Sequence, residues 1–215
     1  MMTSQPSKGR IIIPIVIAAV LWFFMFSPWT KDLTNFWITM TVSAIVLTSL
    51  ALRFSSEKTQ ISVERPIFQL ILGIFIAFAL WGIFWIGDKL STMMFSFARP
   101  EVDAVYSMKK DLPIWLITIL LLFVIGPAEE FFWRGFIQRE MASFFKNNQR
   151  MHAFWVTTIV YSLIHIWSMN FMLVMAAFVA GFVWGIIYRF RPQLLPALIV
   201  SHALWDVLVF IIFPI

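Results

Sequence analysis

Set inside a long run of Leu, Ile, Phe and Trp, the stretch Gly126-Pro127-Ala128-Glu129-Glu130-Phe131-Phe132-Trp133-Arg134 carries two adjacent acids and an arginine. A charged side chain near the centre of a membrane-spanning helix costs about 2.5–3.5 kcal/mol on insertion scales, so ionisable residues at that depth are candidates for function. Glu130 and Arg134 stand four residues apart with the acid first, the order that pairs well on one helix face. Glu129 projects about 100° around from Glu130 and finds no partner on its own helix. The spacing therefore predicts that Arg134 neutralises Glu130 while Glu129 faces a cavity. A buried structural ion pair with one snorkelling acid uses the same three residues and no chemistry. Pro127, just before the acids, is expected to kink the helix and free carbonyls, which is tolerated at depth only beside a cavity or neighbouring helices.

Two imidazoles lie in other apolar runs. His165 ends the segment Tyr161-Ser162-Leu163-Ile164-His165, and His202 opens His202-Ala203-Leu204-Trp205-Asp206, with Asp206 one turn away on its own face. A lone histidine in a helix is usually a hydrogen-bonded core residue; His152, beside Arg150 at a loop edge, reads as interfacial. At 1.5 Å rise per residue, His202 lies roughly 12 Å and His165 roughly 20 Å from the inner ends of their spans, with Glu129 in the inner half of its own. Those depths overlap within a side chain or two. Three separated segments thus bring carboxylates, a guanidinium and imidazoles to one layer.

A buried carboxylate beside a second acid is suited to act as general base near neutral pH, and an imidazole can hold a water or donate to a developing oxyanion. Glu129 with His165 would activate water for attack on a peptide carbonyl, with His202 and Asp206 on the far side of the transition state. The alternative is a catalytic zinc site, in which Glu129, His165 and His202 would be the ligands and water would take the open position. On the first reading no cofactor is required.

The elements that must position these residues are membrane helices. Apolar residues make up 61% of the 215 residues, against about 45–50% in soluble domains, and the excess falls in blocks long enough to cross a bilayer. The expected fold is all-α, a polytopic transmembrane bundle forming one integral membrane domain over residues 1–215. Spans are expected at about Ile11–Ser27, Leu33–Leu52, Pro66–Gly87, Leu112–Ile125 running on into the acidic stretch, Ala153–Ile166, Asn170–Tyr188 and Leu194–Phe213. That makes about seven spans, possibly eight if Leu90–Phe97, in the 88–111 loop, forms a re-entrant or interfacial piece. The first run ends in Pro28-Trp29 with no small-residue cleavage site and so reads as a retained span rather than a signal peptide. Most Trp and Phe residues read as lipid-facing bulk or interfacial belt.

Cations test the orientation. With the N-terminus inside, Lys8, Arg10, Arg53, Lys58, Arg65, Arg134, Arg139, Lys146, Arg150, Arg189 and Arg191 fall on the inner side, and Lys31, Lys89, Arg99, Lys109 and Lys110 on the outer. The excess predicts N-in and C-out; candidate substrates are compatible with a pocket opening toward the cytoplasmic half, and the opening itself depends on that count. The net charge of +5 is spread over short loops and forms no continuous basic face, so nucleic acid is not an expected partner. The absence of cysteine excludes disulfides, thiolate nucleophiles and Cys-based metal sites.

The ordered set Glu129-Glu130-x-x-x-Arg134, then His165, then His202-x-x-x-Asp206 on successive late spans resembles the CPBP family (CAAX protease and bacteriocin-processing, or Abi) of intramembrane endopeptidases, over about residues 110–215. The resemblance implies that Glu129 is the water-activating glutamate with His165 as its partner. It likewise implies that His202 and Asp206 form the oxyanion pair and that Glu130 and Arg134 are structural support. It implies a lipid bilayer and a membrane-associated or lipid-modified peptide as partners, and a prokaryotic plasma membrane is the expected location. Two positions depart from the family pattern: Tyr161 stands where Phe is usual, and Asp206 where Asn is often found. An ionised Asp cannot donate to an oxyanion. The chain has no HExxH zinc motif, no GxSx serine motif and no GxGD, although Ser162 and Ser201 lie near the histidines. A transporter or proton relay, or an immunity or scaffold factor, would be the non-proteolytic alternatives.

Overall fold

The computed structural model describes residues 9–56, 64–145 and 150–215. Three cations of the inner-side tally, Lys8, Lys58 and Lys146, and the leader before Gly9 lie outside the described residues. Among those described the chain is a bundle of helices with no strand. In order these are α1 (Gly9–Phe26), α2 (Phe36–Phe54), α3 (Pro66–Met94), α4 (Ala98–Ser107), α5 (Ile114–Phe144), α6 (Arg150–Leu163), α7 (Phe171–Phe190) and α8 (Leu195–Val207). Six helical stretches are long and apolar enough to cross a membrane, with α8 counted from Pro192 to Ile212. The remaining expected span, Ala153–Ile166, is the shorter α6, extended by a 3-10 segment Ile164–Ser168 that carries His165. Outward-facing Ile67, Phe75, Trp115 and Phe123 give the bundle the apolar exterior that lipid requires.

One expectation is corrected here. The third helix does not stop at Gly87. Asp88 is buried and paired with Arg99 at 3.4 Å, so its charge is met by protein and the helix continues to Met94. Leu90–Phe97 is therefore no separate re-entrant piece: Leu90–Met94 is the last part of α3, and the chain turns at residues 95–97 into α4. Most Trp and Phe residues do lie outside the core, but Trp22, Trp37, Trp133 and Trp184 are buried within the bundle.

Local chemistry sets the helix ends. The Asn35 side chain accepts from the N–H groups of Trp37 and Ile38 and so caps α2. Asn170 does the same for α7 through the Leu173 N–H, and Glu101 of α4 accepts from the Met172 N–H, fixing α4 across the start of α7. Met169, in the left-handed region at φ 50°, ends the His165 segment and reverses the chain into α7. Pro127 is accommodated by a π-helical turn over Leu121–Ile125, in which the Gly126 N–H reaches back to the Leu121 carbonyl. A second π-helical segment, Phe131–Gln138, follows the two acids; such turns recur at functional sites.

Lipid is as apolar as a core, so helices in a membrane associate through close packing, and small residues let backbones approach. A Cβ on Gly73 of α3 would lie 2.6 Å from the Ala197 carbonyl oxygen of α8. One on Gly126 of α5 would lie 2.7 Å from the Ala203 Cα, also of α8. The second contact sets the segment bearing Glu129 and Glu130 directly against the turn bearing His202.

Candidate active site

Glu130 is the fully buried hub. Its Oε1 accepts from Arg134 Nη1 at 2.7 Å and contacts His202 Nδ1 at 3.0 Å, so α5 and α8 meet on one carboxylate oxygen. Arg134 Nη2 donates to the Gly181 carbonyl of α7 at 3.2 Å, and the guanidinium lies over the rings of Tyr161 and Trp184. Trp184 stacks on the His202 imidazole with centroids 4.0 Å apart and donates its indole N–H to Ser201. A buried ion pair recovers its desolvation cost only with such geometry. Here one carboxylate, one guanidinium and one imidazole tie three helices together.

Glu129, the neighbour of this hub, points elsewhere. Its Oε2 accepts from the Tyr161 hydroxyl at 3.2 Å, and among the described residues no protein donor meets Oε1. The side chain lines a cavity of about 490 Å³ that Tyr161, His165, His202, Asp206 and Trp22 also line. The tyrosine hydroxyl that departs from the family pattern is thus on the candidate base itself.

His165 reaches the cavity wall with both ring nitrogens engaged. Trp22 of α1 donates its indole N–H to Nε2 at 3.0 Å, which leaves Nδ1 as the protonated nitrogen facing the Tyr161 carbonyl at 2.8 Å. His202 is arranged differently: with Nδ1 turned to Glu130, its Nε2 edge is left toward Asp206, whose Oδ2 is 3.6 Å away, beyond hydrogen-bond distance.

Every residue singled out from the motifs, Glu129, Glu130, Arg134, His165, His202 and Asp206, therefore belongs to one contiguous site. Glu130 does more than hold Arg134, since it also orients His202. His152 is exposed at the start of α6, and Ser162 and Ser201 lie off the cavity, bonded to Thr158 and Trp184. The zinc ligand set does not fit. Among the described residues no group of three His, Asp or Glu is gathered to hold a metal ion. Trp22 is the site residue that sequence reasoning missed; its only signal was an indole in the aromatic end of the first span, beside Phe23 and Phe24, which also fits a lipid belt.

The cavity runs to one end of the bundle. Glu129 lies midway along α5 and His202 midway along the last helix, and from that level the cavity extends to the end of the bundle carrying Phe26, Met40, Phe95, α4 and Ile215. This is the end opposite the one where α1 begins. Toward the other end the bundle is filled: Phe132, Trp133, Phe136 and Phe154 have no exposure, and Gln138 is bonded to the Gly185 carbonyl at 2.8 Å. Residue depth along a helix does not reveal which side of a polar layer is packed shut, so the sequence alone left the open end undetermined. Outside the spans, Tyr106 of α4 closes part of the mouth, its hydroxyl donating to the Val209 carbonyl, and burial pushes its phenol above the usual pKa.

Residues 111–208 match the family described as type II CAAX prenyl endopeptidase Rce1-like. No curated protein and no solved structure matches the chain. The match is consistent with the CPBP resemblance, spans Glu129 to Asp206, and supports a protease of the CAAX type; Trp22 lies outside it.

Proposed function

We propose that this chain is an intramembrane endopeptidase that hydrolyses a peptide bond of a membrane-associated substrate with water activated by Glu129, in the plasma membrane of a prokaryote. The observation that carries the reading is the free Oε1 of Glu129, on a cavity shared with the Nε2 edge of His202, inside the segment that matches the protease family. Tyr161 holds one oxygen of the carboxylate, so the other takes the proton as water oxygen bonds to the scissile carbonyl carbon. The oxyanion formed there accepts from Nε2–H of His202 in its imidazolium form, whose Nδ1–H is given to Glu130, while Glu130 and Arg134 fix the ring from behind. Glu129 then returns the proton to the departing amine nitrogen as the C–N bond breaks. His165 joins as the water's second partner when its Nε2 exchanges the Trp22 N–H for a water O–H. Asp206, which as an ionised acid cannot donate to the oxyanion, serves as counter-charge beside His202. The mechanism uses no metal.

The test is cleavage of a lipidated fluorogenic peptide by purified protein in detergent. Glu129→Gln keeps an acceptor for Tyr161 and removes the base, and turnover is expected to fall about 10²- to 10⁴-fold. Folded Glu129→Gln with wild-type turnover refutes the assignment. Loss of activity to a chelator with recovery on adding zinc replaces it with metal chemistry. Solute or ion flux that needs the same residues, without cleavage, replaces the protease altogether.

A further inference from the structure

We infer that the substrate enters this site from the extracytoplasmic face, as a peptide segment of a membrane-anchored protein presented on that side and not as a cytoplasmic tail. The inference rests on the protease reading above and adds to it where the substrate comes from. Two independent features of the molecule carry it.

The first is the one-ended shape of the cavity. Its walls come from the same end of every helix they include: Phe26 from the end of α1, Met40 from the start of α2, Phe95 after α3, Phe171 from the start of α7 and Phe210 after α8. Toward the opposite end, Arg134 and Gln138 are tied to α7 carbonyls and Phe132, Trp133 and Phe136 are fully buried, so among the described residues the bundle beyond Glu129 is filled that way.

The second is the distribution of cations. Arg10, Arg53, Arg65, Arg139, Arg150, Arg189 and Arg191 lie at the filled end. The mouth end carries Lys31, Lys89, Arg99, Lys109 and Lys110. Arg134, counted with the inner set from sequence, is buried against Glu130 and drops out. Partners within the protein do not change the balance: Arg99 pairs with Asp88 and Asp103 and Lys109 donates to the Phe210 carbonyl at the mouth end, and Arg139 pairs with Glu140 at the filled end. The excess of Lys and Arg marks the cytoplasmic side, so the filled end is cytoplasmic and the mouth faces out.

The chain contains no cysteine, so single cysteines report without background. Lys31→Cys marks the mouth end and Arg191→Cys the filled end; both native side chains are exposed and neither belongs to the site. With a membrane-impermeant maleimide on intact cells, Lys31→Cys is expected to label fully and Arg191→Cys only after lysis. Label on Arg191→Cys before lysis, or none on Lys31→Cys, overturns the inference. A second arm uses proteoliposomes sorted by Lys31→Cys labelling: an impermeant peptide added outside is cleaved only where Lys31→Cys faces out, and cleavage by the opposite population overturns the inference. Failure of the underlying protease reading looks different, because no cleavage then occurs even in detergent while the labelling pattern is untouched.

Discussion

Gly126→Ala is the sharpest probe of whether α5 and α8 must stay in register for the reaction. The added Cβ would lie 2.7 Å from the Ala203 Cα and 2.9 Å from its nitrogen, and both are backbone atoms that cannot rotate away. Ordinary contacts begin near 3.4 Å, so the helices must part by the 0.7 Å that separates 2.7 from 3.4 Å. Taken up between the helices, that stretches the 3.0 Å contact of His202 Nδ1 with Glu130 Oε1 to about 3.7 Å, which is no longer a hydrogen bond. Overpacking of this kind costs about 1–3 kcal/mol of stability. A displacement approaching 1 Å at a reacting group can cost about 10²-fold, so turnover is expected to fall between about 10- and 100-fold. The control is Gly82→Ala in α3, where nothing lies within 4 Å of the new Cβ; it should leave activity intact and stabilise by about 0.5–1 kcal/mol. The assay pairs saturating turnover on a lipidated fluorogenic peptide with thermal unfolding followed by tryptophan emission. Wild-type turnover in folded Gly126→Ala would falsify the view that Glu130 must hold His202.

Three further outcomes are expected. Arg134→Met strands the buried Glu130 carboxylate and should destabilise the protein by about 3–5 kcal/mol, whereas the double variant with Glu130→Gln recovers part of that loss; thermal unfolding of both compares them. Tyr161→Phe keeps the ring and removes the donor to Glu129, a bond to a charged group worth about 1.5–3 kcal/mol. Turnover should drop about tenfold or more with KM nearly unchanged, and an equal rise in KM instead would assign the hydroxyl to substrate binding. Trp22→Phe removes the donor to His165 Nε2 at a cost of about 1–3 kcal/mol; unfolding at the wild-type temperature would show that α1 does not clamp this histidine.

Much of this was readable in the chain, for identifiable reasons. Spans announce themselves by apolar length, and the pairing of Glu130 with Arg134 follows from spacing on one helix. The orientation of Glu129 toward a cavity follows from the same arithmetic. What was hidden depends on contacts between helices. Asp88 reads as the end of a span until Arg99, eleven positions along and on another helix, is seen beside it. The helix α4 is too polar and short to register as a membrane element, yet Glu101 and Tyr106 fasten it over the mouth. Trp22 and His165 are 143 positions apart, and no local pattern links them. The direction in which the cavity opens depends on which side of the charged layer Phe132, Trp133 and Phe154 fill, and large apolar residues occur on both sides in the sequence.

The filled end of the bundle also bears on kinetics. On the proposed protease reading, a chamber that the described residues close at one end sends both halves of a cut chain back through the opening by which the intact one arrived. The half that keeps its membrane anchor then stays in the plane of that opening at high local concentration. The expectation is competitive inhibition by the anchored product, with the rate at saturation set by how fast that piece withdraws along the apolar walls.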